Sequence, residues 1–171
     1  FLFLAVLFWA GNFIVGKYAS YYQIPPFSLN FYRWFFAWLI LLPFTFKEII
    51  SKKNYILENY KFYILLGITS VTIFNSIVYY SLNFTQVISG VLMISTIPVM
   101  IMFISSILKI ERTNIFQILG VICSFIGVIL IITKANFDLL VNLDFNKGDL
   151  TMVLAMLSWA TYSALLKKKK T

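Results

Sequence analysis

The sequence predicts an all-α integral membrane protein built as a bundle of several membrane-spanning helices. Of the 171 residues, 61% are hydrophobic and 12% are charged, whereas soluble domains are about 45–50% apolar and about 25% charged. Six apolar segments are long enough to cross a hydrocarbon core of about 30 Å as helices. The first of them also returns near the other end of the chain, which predicts an internal repeat.

The six predicted spans follow one another closely. They cover residues 1–18, 27–46, 62–82, 87–108, 115–133 and 150–166. Pro25 and Pro26 end the first, and a polar run at 47–61 separates the second from the third. The remaining turns are mostly short, so neighbouring helices should pack antiparallel. Strands are not expected, because membrane strands alternate apolar and polar residues and these runs are continuously apolar.

Two of the later spans carry residues that should shape them. Pro98 lacks an N–H and crowds the carbonyl of Ile94, so the fourth span should kink there, either as a gate hinge or as a packing bend. Gly120, Ser124 and Gly127 share one face of the fifth span, which predicts close helix packing.

The basic residues predict the orientation of the bundle. The net charge is +8, from 14 Lys and Arg against 6 Asp and Glu. Ten of the 14 basic residues fall in alternate connections and only three in the others. This bias predicts a multi-pass protein of the cell membrane (plasma or inner) with a cytoplasmic N-terminus. Because the Lys and Arg residues are distributed by connection as in membrane proteins, the net positive charge does not indicate a nucleic-acid partner, and none is expected.

The repeat predicts a mechanism class. Residues 154–167 (LAMLSWATYSALLK) align with residues 4–17 (LAVLFWAGNFIVGK) at an offset of 150, and six of the fourteen positions are identical, including Trp9 with Trp159. One unit then holds five helices, and because five is odd the second copy is inverted in the membrane. Inverted repeats are typical of alternating-access transporters. The alternative is that two membrane helices look alike by composition.

A set of short motifs follows a familiar order. W-A-G-N-F at 9–13 precedes Lys17; Pro-Pro precedes Arg33; Pro98, Glu111-Arg112, a Gly-rich fifth span and Gly148-Asp149 follow. The chain thereby resembles the EamA-like transporters of the drug/metabolite transporter (DMT) superfamily. One departure is Ile110, where the family often has Gly before Glu-Arg.

The resemblance implies a ten-helix carrier with both termini cytoplasmic. On that basis residues 1–133 would be the first five-helix repeat, 134–148 an outer loop, and 149–171 the first helix of a truncated, inverted second repeat. We therefore expect the chain to be part of a longer protein with four further helices.

Polar residues inside the spans are the candidate substrate-binding residues. Trp9, Asn12 and Gly16 share a helix face, which is either a cavity wall or an interhelical contact. Asn75 and Tyr79 lie one turn apart on the third span and could line the same cavity or bond to neighbours. Trp159 should occupy the place equivalent to Trp9.

Arg33 is the charge that most needs an explanation. It lies within the second span, where it costs at least ~2.5 kcal/mol unless paired, hydrated or snorkelled. The spans contain no acid in their interiors, so we expect Arg33 to bind an anionic group of a substrate, with snorkelling to headgroups as the alternative. Lys17 is nearer the membrane edge and is expected to snorkel.

These features predict a secondary transporter of a small polar metabolite, such as an amino acid or organic anion. No P-loop, His or paired catalytic group is present, so we expect no enzyme activity, cofactor or metal site. The alternatives are a membrane-embedded enzyme, a non-transporting membrane subunit, and a small multidrug-type exporter, which would use a buried carboxylate. Proton coupling and substrate counter-transport both stay open, as does the oligomeric state.

Overall fold

The computed structural model describes residues 1–110, 114–132 and 146–169, and every regular element within those ranges is a helix. In order they are α1 (Leu2–Tyr21), α2 (Pro26–Ser51), α3 (Lys53–Glu58), α4 (Tyr60–Gly67), a π-helical segment (Ile68–Ile73), α5 (Phe74–Ser81), α6 (Val87–Ile94), α7 (Ile97–Ile107), α8 (Ile115–Ile132) and α9 (Lys147–Lys168). The predicted all-α fold is confirmed. Glu111, Arg112 and most of the predicted outer loop lie outside the described residues.

Four of the described helices are long and apolar enough to cross a membrane. They are Leu2–Tyr21, Pro26–Ser51, Tyr60–Ser81 and Lys147–Lys168, which correspond to the first, second, third and sixth predicted spans. The other two predicted spans are also helical but give shorter apolar helices, Ile97–Ile107 and Ile115–Gly127. The chain is therefore a multi-pass membrane protein.

The polar run after the second span is helical rather than an open loop. α2 continues through Pro43 to Ser51, and α3 follows directly. Lys and Glu are good helix formers, and Lys52 pairs with Glu48 at 3.9 Å, one turn before it. Asn59 joins α3 to α4, and its side-chain amide donates to the carbonyl of Tyr55 at 2.9 Å.

The fourth predicted span is interrupted just before Pro98, where that proline predicted a kink. α6 ends at Ile94, a turn follows at residues 95–96, and α7 begins at Ile97 with Pro98 in its first turn. Pro is tolerated in the first turn because its missing N–H would be unpaired there anyway. The Thr96 hydroxyl donates to the carbonyl of Met93 at 2.6 Å, which closes the end of α6.

The third span contains a π-helical segment whose carbonyls are bonded by side chains. Ser158 of α9 donates to the carbonyl of Thr69 at 2.7 Å, and Asn75 donates to that of Ser70 at 2.9 Å. Asn30 of α2 donates to the carbonyl of Val71 at 3.0 Å. In lipid, each backbone group freed from the regular helix pattern needs such a partner.

α9 lies at the centre of the packing. Five of its residues are completely buried, namely Met152, Ala155, Met156, Ala160 and Ala164. Its alanines let the neighbouring helices approach closely. The buried core around them includes Phe13, Phe74, Val78, Tyr79, Leu82 and Ile97.

The start of α9 is fixed by two features of its sequence. Asn146 and Asp149 form a reciprocal capping box, in which each side chain accepts the backbone N–H of the other, at 3.1 and 3.0 Å. Gly148 packs directly on the turn after α5: a Cβ there would lie 2.7 Å from the carbonyl oxygen of Ser81 and 2.8 Å from the amide nitrogen of Thr85.

The predicted small-residue packing on the fifth span is wrong within the described structure. A Cβ added at Gly120 or Gly127 would meet no atom within 4 Å. Gly120 and Ser124 instead line a cavity of about 410 Å³ between α7 and α8. The stripe therefore leaves space beside α8 rather than a close helix contact.

α1 and α9 run in opposite directions. Lys17, near the C-terminal end of α1, contacts the same turn as Asp149, at the N-terminal end of α9. Trp9, nearer the start of α1, contacts Trp159, further along α9. An inverted repeat requires this antiparallel relation, although the repeat itself stays a prediction.

Candidate functional site

Three of the predicted site residues meet at one point in the bundle. Arg33 Nη1 donates to Asn12 Oδ1 and to the Tyr79 hydroxyl oxygen. The Tyr79 hydroxyl in turn donates to Asn12 Oδ1 at 2.6 Å. We call this group of Asn12, Arg33 and Tyr79 the polar triad; it joins α1, α2 and α5.

Gly16 allows the triad to form. It lies one turn after Asn12 on α1, and a Cβ at this position would lie 2.7 Å from Tyr79 Cδ1 and 2.9 Å from Leu82 Cδ1. A Cβ here would require the Tyr79 ring and the Leu82 side chain to shift, which would disturb the contact of the Tyr79 hydroxyl with Asn12. The predicted interhelical contact and the predicted polar site are thus two parts of one arrangement.

The guanidinium of Arg33 still has donors to offer. It carries five N–H groups, and its hydrogen bonds within the described residues all use Nη1. Its carbon also lies 5.3 Å from the Trp34 ring centre and 5.8 Å from that of Tyr79. In the described ranges the ion pair present is Lys52–Glu48, so no carboxylate there neutralises Arg33. Snorkelling is not seen, because the head group points to other helices.

An aromatic group lies beside the triad. Trp9, one turn before Asn12 on α1, contacts Trp159 with ring centres 5.9 Å apart. Trp159 also packs on Phe74 at 4.7 Å and on Tyr162 at 5.1 Å. The two tryptophans predicted to be equivalent are thus in direct contact, and Trp9 keeps 39% of its surface exposed.

Asn75 does not bond to the polar triad, and its assignment to substrate binding stays a prediction. It is buried, and its amide nitrogen bonds to the carbonyls of Ser70 and Val71 in the π-helical segment. Its role in the described structure is to satisfy backbone groups. Of the two polar residues predicted on the third span, only Tyr79 reaches the triad.

Lys17, which was expected to snorkel, has protein partners in the turn after α5. Its Nζ donates to the carbonyl oxygens of Leu82 and Thr85 at 2.8 and 2.9 Å. The Thr85 hydroxyl in turn donates to Asp149 Oδ1. Lys17, Thr85 and Asp149 form what we call the turn clasp, which holds the turn after α5 between α1 and α9.

Asp149 is a functional candidate that sequence reasoning missed. The residue is buried, with 5% of its surface exposed, whereas the sequence placed it only at the start of a span. The signal for its role was Asn146 three residues earlier, the spacing of a capping box. Nothing in the sequence indicated that its second acceptor would bind Thr85.

Pro98 lies apart from both groups. It lines the cavity of about 410 Å³ between α7 and α8, together with Ser105 and Gln117. Ser105 is buried and its hydroxyl has no hydrogen-bond partner within the described residues. The break at residues 95–96 lies beside this cavity, which is compatible with a hinge.

No three His, Cys, Asp or Glu side chains meet as metal ligands would in the part of the chain that the structure describes.

Comparison with known proteins places these features in context. The family model described as the EamA-like transporter family matches residues 1–133. The "uncharacterized transporter YyaM" of Bacillus subtilis (strain 168) is 29% identical over 159 residues, which cover 93% of this chain and 52% of that protein. An "uncharacterized transporter" of Archaeoglobus fulgidus is 29% identical over 166 residues, or 96% of this chain and 55% of its own.

A third relative likewise matches nearly all of this chain and about half of its own length. An "uncharacterized transporter" of Clostridium kluyveri is 28% identical over 180 residues, which cover 99% of this chain and 55% of that protein. The chain thus spans about half the length of the curated relatives it matches. No solved structure matches the chain significantly.

Proposed function

We propose that this chain, which belongs to the EamA-like transporter family within the DMT superfamily, forms half of a secondary transporter that works by alternating access. In this proposal residues 1–133 are the first repeat, 134–148 an outer loop, and 149–171 the start of an inverted second repeat. The antiparallel relation of α1 and α9 supports it, as does the length of the relatives, which is about twice that of this chain. We place the protein in the cell membrane with its N-terminus in the cytoplasm.

The substrate in this proposal carries an anionic group that binds to Arg33. The observation that carries the proposal is that Arg33 is held inside the bundle by Asn12 and Tyr79 without a carboxylate partner in the described residues. Its planar guanidinium matches a carboxylate or phosphate with two parallel hydrogen bonds. A charge within a membrane span is retained where it meets an opposite charge, and for the partly buried Arg33 a substrate would supply it.

The aromatic group would receive the apolar part of the substrate. Trp9 lies one turn from Asn12 on the same face of α1, and Trp159 packs against it from α9. An amino acid or other organic acid of small size has both parts, a carboxylate for Arg33 and an apolar part for the two rings. In this proposal a proton gradient or the exchange of a second substrate drives transport.

The turn clasp would act as one gate. It holds α1, the turn after α5, and α9 together at one end of the bundle. Alternating access requires that contacts at one end close while those at the other open. The break before Pro98 gives the fourth span a place at which its two halves can change their angle.

The test is substitution of Arg33 in the complete carrier, with transport measured per inserted protein. Arg33→Gln should lower uptake of an anionic substrate about ten- to hundred-fold, because hydrogen bonds to charged groups contribute about 1.5–3 kcal/mol. Arg33→Lys should keep part of the activity, because Lys keeps the charge but not the planar fork. Lys53→Gln, which removes a charge from an exposed site, is the matched control. Normal uptake by Arg33→Gln, or a simple cation as substrate, would refute the proposal.

A further inference from the structure

Three aromatic rings surround one lysine at the end of the bundle where α2 and α9 finish. Lys169 Nζ lies 4.7 Å from the ring centres of Phe62 and Tyr63 and 4.9 Å from that of Tyr55. A cation within about 6 Å of an aromatic face is attracted by the ring quadrupole. Three such contacts on one ammonium group form an aromatic cage, which we define as Tyr55, Phe62 and Tyr63.

The helical connection between the second and third spans builds this cage. Tyr55 lies on α3, while Phe62 and Tyr63 are adjacent residues at the start of α4. Asn59 joins the two helices and bonds back to the carbonyl of Tyr55, so the first wall is fixed relative to the other two. The Phe62 and Tyr63 rings stand at 70° to each other, which presents two separate faces.

The contact is specific to Lys169 among the neighbouring lysines. Lys61 contacts a single ring, Tyr60, at the longer distance of 6.0 Å. Lys168 makes no ring contact within the described residues and is exposed. The described part of the chain also pairs no carboxylate with Lys169. The rings therefore replace an acidic partner for its ammonium group.

The cage has room for more than a lysine ammonium. A surface cavity of about 510 Å³ adjoins it, lined by Lys52, Tyr55, Ile56 and Tyr63. Two of the three cage residues thus face open space as well as Lys169. A larger cation could enter from that side and displace the lysine.

We propose that Tyr55, Phe62 and Tyr63 form a second binding site, for quaternary ammonium groups, which Lys169 occupies in their absence. Aromatic cages without a carboxylate suit such groups because the attraction needs only ring faces. The group could belong to a soluble molecule such as choline or to a choline phospholipid. Binding would release Lys169, which follows α9, from the connection between the second and third spans.

The first experiment measures how fast amine-reactive reagents modify Lys169 and Lys168, using mass spectrometry of the purified protein in choline-free detergent. Lys169 should react roughly two- to five-fold more slowly, as expected for cation–π attraction at an exposed site. Tyr55→Leu and Tyr63→Leu should remove the difference, and both residues are at least 40% exposed, so the fold should tolerate them. Tyr60→Leu is the matched control. Equal rates in the unsubstituted protein would overturn the proposal.

The second experiment tests the ligand. Choline should raise the reaction rate of Lys169 to that of Lys168, and its neutral isostere 3,3-dimethylbutan-1-ol should not. Choline should also bind more tightly to Lys169→Gln in equilibrium dialysis, because the competing lysine is gone.

Phosphatidylcholine added to the detergent micelle, with phosphatidylglycerol as control, tests whether a lipid supplies the quaternary ammonium group. An effect of either choline or phosphatidylcholine identifies the source; no effect of both, or an equal effect of the neutral isostere, would overturn the proposal. Neither experiment depends on transport.

Discussion

A side chain at residue 148 would clash with backbone atoms of Ser81 and Thr85, which cannot shift without moving the turn after α5. The Cβ of Gly148→Ala would lie 2.7 and 2.8 Å from the Ser81 oxygen and the Thr85 nitrogen. We expect this substitution to destabilise the protein by about 1–3 kcal/mol, the usual cost of overpacking, and to loosen the turn clasp. Gly11→Ala is the matched control, because its Cβ would meet nothing within 4 Å and Ala favours helix.

The measurement is unfolding of both variants in a denaturing detergent titration, followed by circular dichroism. Equal stability of Gly148→Ala and the unsubstituted protein would contradict the close packing of α9 on the turn after α5.

At the scale of residues, sequence reasoning found the polar triad but not its connections. Asn12, Arg33 and Tyr79 each stood out because a polar group in an apolar span needs a partner. That they are partners of one another depends on how three helices pack, which spacing along the chain does not encode. The partners of Lys17 could not be predicted, because they are backbone carbonyls in a turn and these have no side-chain signal.

The π-helical segment is the element that depends most on single side chains. Asn75→Ala would remove the hydrogen bond of 2.9 Å from the buried Asn75 side chain to the carbonyl of Ser70. We expect this to cost about 0.5–1.5 kcal/mol, the net contribution of a typical hydrogen bond inside a protein. Asn83→Ala removes the same kind of bond, to the carbonyls of Tyr79 and Tyr80, at an exposed residue, and should cost much less.

Detergent unfolding of the two asparagine variants checks this prediction. If Asn83→Ala proves as destabilising as Asn75→Ala, the burial of Asn75 does not decide the stability of this segment.

At the scale of elements, the apolar runs predicted where helices lie but not where they break. The apolar run itself did not mark a break in the fourth segment, but Pro98 within it predicted a kink, and the helix is interrupted at residues 95–96, so that Pro98 occupies the first turn of α7. The π-helical segment had no signal, since its carbonyls are bonded by Asn30, Asn75 and Ser158, which come from three different helices. The helical α3 was missed because charged residues were taken as a loop.

At the scale of the molecule, burial is concentrated around α9 and exposure around α2. α9 has seven buried residues, while α2, although longer, has one, Asn30. The exposed residues of α2 are largely Phe, Trp, Leu and Ile, which suit contact with lipid. A membrane bundle typically has a central helix that is packed on several sides and outer helices that face lipid. The apolar composition predicted such a bundle, but it did not predict that α9 would be the central helix.

The orientation in the membrane is the last prediction and needs its own measurement. Ten of the 14 Lys and Arg lie in the connections predicted to be cytoplasmic, and the positive-inside bias then puts the N-terminus inside. Asn83, in the turn after α5, should face outward, and Asn54, on α3, should face the cytoplasm; both are exposed.

Cysteine labelling in cells measures this orientation, and the exposed Cys123 is first replaced by Ser. In intact cells a membrane-impermeant maleimide should label Asn83→Cys, whereas Asn54→Cys should react only after permeabilisation. Labelling of Asn54→Cys alone in intact cells would reverse the orientation, and would move the turn clasp to the cytoplasmic end and the aromatic cage to the outer end.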